Sequence, residues 1–69
     1  STARDRLTSG EREIVQLLDE GLSNKQIATN LALSVKTVES HRAAALRKAR
    51  VHTAAELVRF AIKHNLIKP

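Results

Sequence analysis

An all-α fold, a compact four-helix domain with a central helix-turn-helix, follows from three observations on this 69-residue chain. Strand signals are almost absent: there is no Asn-Gly or Asp-Gly turn, no run of alternating β-branched residues, and only two glycines and one proline. Helix-starting signals recur, because Thr8 with Glu11, Ser23 with Gln26 and Thr53 with Glu56 each set a hydroxyl three residues before a carboxylate or amide. Between these starts the apolar residues return at helical spacing. A chain this short buries only ~60% of the surface its unfolded form exposes, so it holds one small core and one domain.

The Thr8–Glu11 capping box starts the first helix, in which the hydroxyl satisfies a first-turn N–H and the carboxylate reaches back. Ile14, Val15, Leu17 and Leu18 follow at helical spacing, and Gly21 tolerates a left-handed end, so the helix is expected from Ser9 to Glu20. Ser23 with Gln26 starts a second helix of barely two turns, Asn24 to Leu31, with Ile27, Ala28 and Leu31 as its buried stripe. Ser34 caps a third from Val35 to Ala49, uninterrupted by glycine or proline. Thr53 with Glu56 caps a fourth, expected from Ala54 to Asn65. A two-turn helix, a three-residue connection and a longer helix make a helix-turn-helix, the arrangement that sets its second helix into the DNA major groove.

Charge is distributed unevenly. The chain carries 12 Lys+Arg against 7 Asp+Glu, a net +5. Residues 1–33 hold four basic and five acidic residues, whereas residues 34–69 hold eight and two, a net +6. A localised positive field attracts polyanions, of which nucleic acid is the commonest; a solvated basic face is the alternative. Around the third helix, Val35, Val38, Ala45, Leu46 and Ala49 fall on one side, which is expected to face the core. Opposite them Lys36, Ser40, Ala43, Ala44 and Arg47 lie within an arc of about 100°. That face suits a groove: alanines and serine let the backbone approach, while Lys36 and Arg47 reach phosphates or guanine edges. Glu39, at the edge of the arc, can accept from a cytosine amino group or bias against the wrong base. The single aromatic, Phe60, also fits duplex DNA, because single-strand binders usually stack bases on aromatic rings.

On the fourth helix Ala54, Leu57, Phe60 and Ala61 form one apolar sector, and Ala55, Val58 and Ile62 a second beside it. Together they span about 200°, wider than one core contact needs. Either a tiny domain exposes a few aliphatics, or a second copy of the chain covers Ala55, Val58 and Ile62. Three histidines, His41, His52 and His64, offer no pair three or four residues apart and no cysteine supports them, so no metal site and no cofactor are expected. His41, at the border of the core and groove faces, is read as making a structural hydrogen bond or a phosphate contact. Arg42, on the core border too, pairs with Glu11 or Glu13 or meets a phosphate. No Gly-rich phosphate loop or Gly-x-Ser-x-Gly elbow appears, so no enzyme is expected. The longest apolar run falls far below the ~20 residues of a membrane-spanning helix, so no membrane partner is expected. Nor does a signal-peptide pattern open the chain.

These residues carry a resemblance that covers Leu7 to Ile67. The run Leu7-Thr8 with Glu11 and Glu13, then Gly21-Leu22-Ser23-Asn24-Lys25-Gln26-Ile27-Ala28, Leu33-Ser34, Thr37-Val38-Glu39-Ser40-His41-Arg42 and Ala55-Glu56-Leu57-Val58 resembles the LuxR-type helix-turn-helix domain. Within it the likeness is to the C-terminal effector domains of NarL/FixJ-type bacterial response regulators. Ser1 to Arg6 are read from the sequence as a linker or cloning remnant. After them the resemblance implies a domain over residues 7–67. It also implies sequence-specific binding of double-stranded DNA, as the output of a two-component system with an N-terminal receiver domain. By likeness Lys36, Glu39, Ser40 and Ala43 face bases or groove, while Asn24, Lys25, Thr37 and His41 meet phosphates. The fourth helix makes a homodimer on DNA, RNA polymerase is a further partner, and the location is the bacterial cytoplasm, at the nucleoid. A sigma-factor-like promoter-recognition domain and a helical protein-interaction module are the alternatives. Two departures stand out. Many relatives carry lysine where this chain has Glu39, which concerns the target sequence. Where relatives place Asn, a large aliphatic and Leu, this chain has Ala44, Ala45 and Ala49: either the helices pack closer, or these positions were altered or have drifted.

Overall fold

Four side-chain caps begin the four helices of the computed structural model, which describes residues 6–68. The helices are α1 (Ser9–Asp19), α2 (Asn24–Leu31), α3 (Val35–Ala49) and α4 (Ala54–Lys63), and the described residues contain no strand. Thr8 Oγ1 accepts from the Glu11 N–H at 3.1 Å while Glu11 Oε1 accepts from the Thr8 N–H at 2.9 Å. The Ser23–Gln26 and Thr53–Glu56 boxes close in the same way. Ser34 Oγ accepts from the Thr37 N–H at 3.0 Å and its own hydroxyl donates to Thr37 Oγ1 at 2.9 Å. Each such cap stabilises its helix by about 1 kcal/mol.

The helix ends share one geometry. Gly21, Ala32, Arg50 and Asn65 have φ of 90°, 56°, 59° and 58°. In each case the next N–H reaches back five residues: Leu22 to the Leu17 carbonyl, Leu33 to Ala28, Val51 to Leu46 and Leu66 to Ala61, at 2.8 to 3.1 Å. This is the Schellman ending, in which a left-handed residue lets two N–H groups satisfy the last carbonyls. It also shortens two elements relative to the sequence expectation. α1 ends at Asp19, one residue early, and α4 ends at Lys63, because left-handed Asn65 cannot continue a helix.

Two apolar clusters form the core. Ile14, Ile27, Ala28 and Val38 join α1, α2 and the first half of α3. Leu7, Val15, Ala45, Ala49, Leu57, Ala61 and Ile67 join α1, the second half of α3, α4 and the flanking segments. Both clusters draw on α1 and α3, so these two helices fix the position of everything else. Ala45 and Ala49 are buried, with buried Ala61 of α4 in the same cluster, whereas Ala44 is half-buried. Half-buried Leu18, Leu46, Phe60 and Leu66 pack against the same cluster. Val35, expected to face the core, instead stands 39% exposed, because the first residue of α3 emerges from the turn before the helix meets its neighbours. Beyond α4, Ile67 returns to the core. The Gln16 side-chain amide clasps the backbone of Lys68, donating to its carbonyl at 2.8 Å and accepting its N–H at 3.1 Å.

Candidate nucleic-acid interface

The helix-turn-helix is fixed from both ends. At the turn Ala32 is left-handed, the Leu33 N–H bonds the Ala28 carbonyl at 2.9 Å, and Ser34 caps α3. At the far end Lys48 Nζ donates to Glu11 Oε1 at 2.8 Å and to the Arg6 carbonyl at 3.4 Å, tying α3 to the start of α1. The fully buried Val38 and Ala45 hold the inner face of α3 against the core.

The opposite face is presented to solvent: Lys36, Glu39, Ser40, Ala43 and Arg47 are all exposed. Lys36 and Arg47 have no ion-pair partner among the described residues. Ala44 lies at the margin of this face rather than on it. Arg50, exposed in its left-handed turn, adds a cation at the far end. The result is a surface about three turns long, with small side chains in the middle, cations at both ends and one acid.

The residues expected to meet phosphates do not form a single group. Asn24, Lys25 and Arg42 come together at the N-terminus of α2, where Arg42 Nη1 donates to Asn24 Oδ1 at 3.0 Å. Arg42 therefore does not pair with Glu11 or Glu13, as the sequence allowed; Lys48 takes Glu11. Thr37 lies on the first turn of α3, its hydroxyl oxygen already accepting from Ser34. His41 turns toward the first turn of α1, where a Cβ on Gly10 would stand 3.8 Å from its Nε2. Of the residues expected to pair two copies, Ala55 is exposed, whereas Val58 and Ile62 are half-buried against the chain's own core.

Sequence reasoning missed Lys48. It lies seven residues, two helical turns, after His41 and so on the same side of α3, and that register is the signal that could have found it. Its partner Glu11 is 4% exposed. Burial pushes the Glu11 carboxyl up, but the Lys48 ammonium and the Thr8 N–H outweigh it and hold the group below the ordinary glutamate value. The Glu56 carboxyl is also lowered, by the N–H groups of His52 and Thr53.

The model of bacterial regulatory proteins of the luxR family matches residues 5–61. Over 59 residues the chain is 46% identical to an uncharacterised response regulatory protein, YgeK, of Escherichia coli K12, covering 86% of this chain and 40% of that protein. It is 41% identical over 61 residues to the oxygen regulatory protein NreC of Staphylococcus carnosus, covering 88% of this chain and 28% of that one. A solved structure of the transcription factor GerE superposes with a TM-score of 0.86 at 32% identity, covering 90% of this chain and 92% of that chain. The chain thus spans well under half the length of these two regulators, and nearly all of the GerE chain.

Proposed function

The chain belongs to the luxR family of bacterial regulatory proteins, and on that premise we propose that it binds double-stranded DNA sequence-specifically as the output domain of a two-component response regulator controlling transcription. The observation that carries the reading is the outward face of α3. Its five exposed side chains include two cations with no ion-pair partner among the described residues, while its inner face is locked into the core.

In the proposed complex α3 lies in the major groove. Lys36 and Arg47 donate to guanine edges or phosphates, Glu39 accepts from a cytosine amino group, and Ser40 and Ala43 let the helix backbone close on the base edges. Lys25 and Arg42, the latter steadied by Asn24, take one strand's phosphates at the N-terminus of α2, and Thr37 takes a phosphate at the start of α3. His41 contributes from the α1 side. A second copy docks through α4 around Ala55, with Val58 and Ile62 at its margin, and sets two α3 helices on half-sites about one DNA turn apart. A receiver domain precedes the linker in the full-length protein, which acts on RNA polymerase at the bacterial nucleoid. No helix among the described residues is long and apolar enough to cross a membrane.

An electrophoretic shift with duplex DNA across a salt series tests this. With about four phosphates neutralised, affinity falls ~100-fold between about 50 and about 200 mM salt, because each contact releases a condensed counterion. No shift at low salt, or a shift that salt leaves unchanged, contradicts DNA binding.

A further inference from the structure

Two large aliphatic side chains stand exposed, Leu33 at 38% and Val35 at 39%, on either side of the Ser34 cap. Leu33 has a local explanation. It follows left-handed Ala32 in a Schellman ending, where an apolar side chain at this place usually accompanies the motif. Val35 has none. As the first residue of α3 it occupies a position whose N–H needs no partner within the helix, and a β-branched side chain has no propensity advantage there. It belongs to neither core cluster. It precedes Lys36 directly and Glu39 by one helical turn, so it sits at the N-terminal edge of the outward surface.

We infer that Val35 is a specificity residue that contacts the C5 methyl group of a thymine. The inference rests on the DNA-binding reading above. When the second helix of a helix-turn-helix enters the major groove, its N-terminal residues are the ones that reach base edges. The thymine methyl is the apolar group that those edges present, the others being hydrogen-bond donors and acceptors. An exposed valine beside Lys36 adds to a polar surface the one kind of contact that hydrogen bonding cannot supply. It favours thymine by removing that methyl group and the valine methyls from water together.

The test uses duplexes that this chain selects from a random pool, with each thymine replaced in turn by deoxyuridine, which lacks only the methyl group. At one thymine of a half-site the replacement weakens binding by the unsubstituted chain about fourfold, the weight of one buried methyl group. Val35→Ser binds the thymine and deoxyuridine duplexes alike, and Val35→Ala loses most of the difference. Because Val35 is exposed, both variants keep the parent melting temperature, which circular dichroism checks. Tolerance of deoxyuridine at every thymine overturns the inference, as does an equal loss in the variants, with DNA binding itself intact in either case. If no duplex is retained from the pool, the DNA-binding reading falls instead.

Discussion

Glu11 joins three parts of the chain through one oxygen: Oε1 accepts from the Thr8 N–H at 2.9 Å and from Lys48 Nζ at 2.8 Å. The first bond caps α1 and the second anchors α3, so the same carboxylate that starts the domain also orients its outward helix. Its folded-state pKa is depressed, so the native state binds fewer protons there than the unfolded chain. The stability this contributes is present above the ordinary glutamate range and is lost as pH falls through the depressed value. Glu11→Gln separates the two roles, because an amide can still reach back to the Thr8 N–H but offers Lys48 no charge. Lys48 is 33% exposed, so solvent screening holds the expected loss at neutral pH to about 1–2 kcal/mol. Thermal unfolding of both proteins from pH 7 to about pH 3 should show a shallower acid decline in the variant, with Glu56 accounting for part of what remains. Identical acid limbs would mean that the Lys48 contact adds nothing. In the sequence Glu11 was legible as a cap and as one of two candidate partners for Arg42, but its tie to Lys48 was not, because a cap is set by residues three apart and the tie by residues thirty-seven apart.

At the scale of the helix, the beginnings were readable and so were two of the four ends: α2 and α3 stop at Leu31 and Ala49 as expected, whereas α1 and α4 stop short of Glu20 and Asn65. All four N-terminal caps stand where the hydroxyls predict them, since the bond joins a side chain to an N–H a few positions along. Of the left-handed residues only Gly21 was foreseen, because glycine announces that conformation. Ala32, Arg50 and Asn65 adopt the same conformation, driven by the backbone bonds of the ending and by the aliphatic residue that follows each. A left-handed alanine costs about 1–2 kcal/mol relative to its right-handed form, and part of this is offset because alanine also restricts the unfolded chain. Ala32→Gly should therefore raise the unfolding free energy by about 0.5–1 kcal/mol, read as a higher urea midpoint with an unchanged m-value. A lower midpoint would show that the turn holds Ala32 without strain.

The whole molecule is two small clusters sharing α1 and α3, and this arrangement decides which apolar residues are spare. Around α4 the sequence counted Ala55, Val58 and Ile62 as a second exposed sector; in the fold Val58 and Ile62 pack in part on the chain's own core, leaving Ala55 as the open position. Pairing through α4 is therefore best probed by Ala55→Asp, since an acid in the first turn of a helix is compatible with its dipole. The variant should lose cooperative binding to a two-half-site duplex while keeping its melting temperature; undiminished cooperativity would contradict pairing through this helix. By itself the sequence determined the helix starts, the class of fold, the helix-turn-helix and the uneven charge, because capping, helical periodicity and net charge are properties of residues close together along the chain. Only the tertiary structure decided that Lys48 takes Glu11, that Arg42 turns to Asn24, that Val35 is exposed and that Val58 is partly buried. Those outcomes depend on which helix faces come to lie against one another, and two helices far apart in sequence have no local chemistry that fixes their packing in advance.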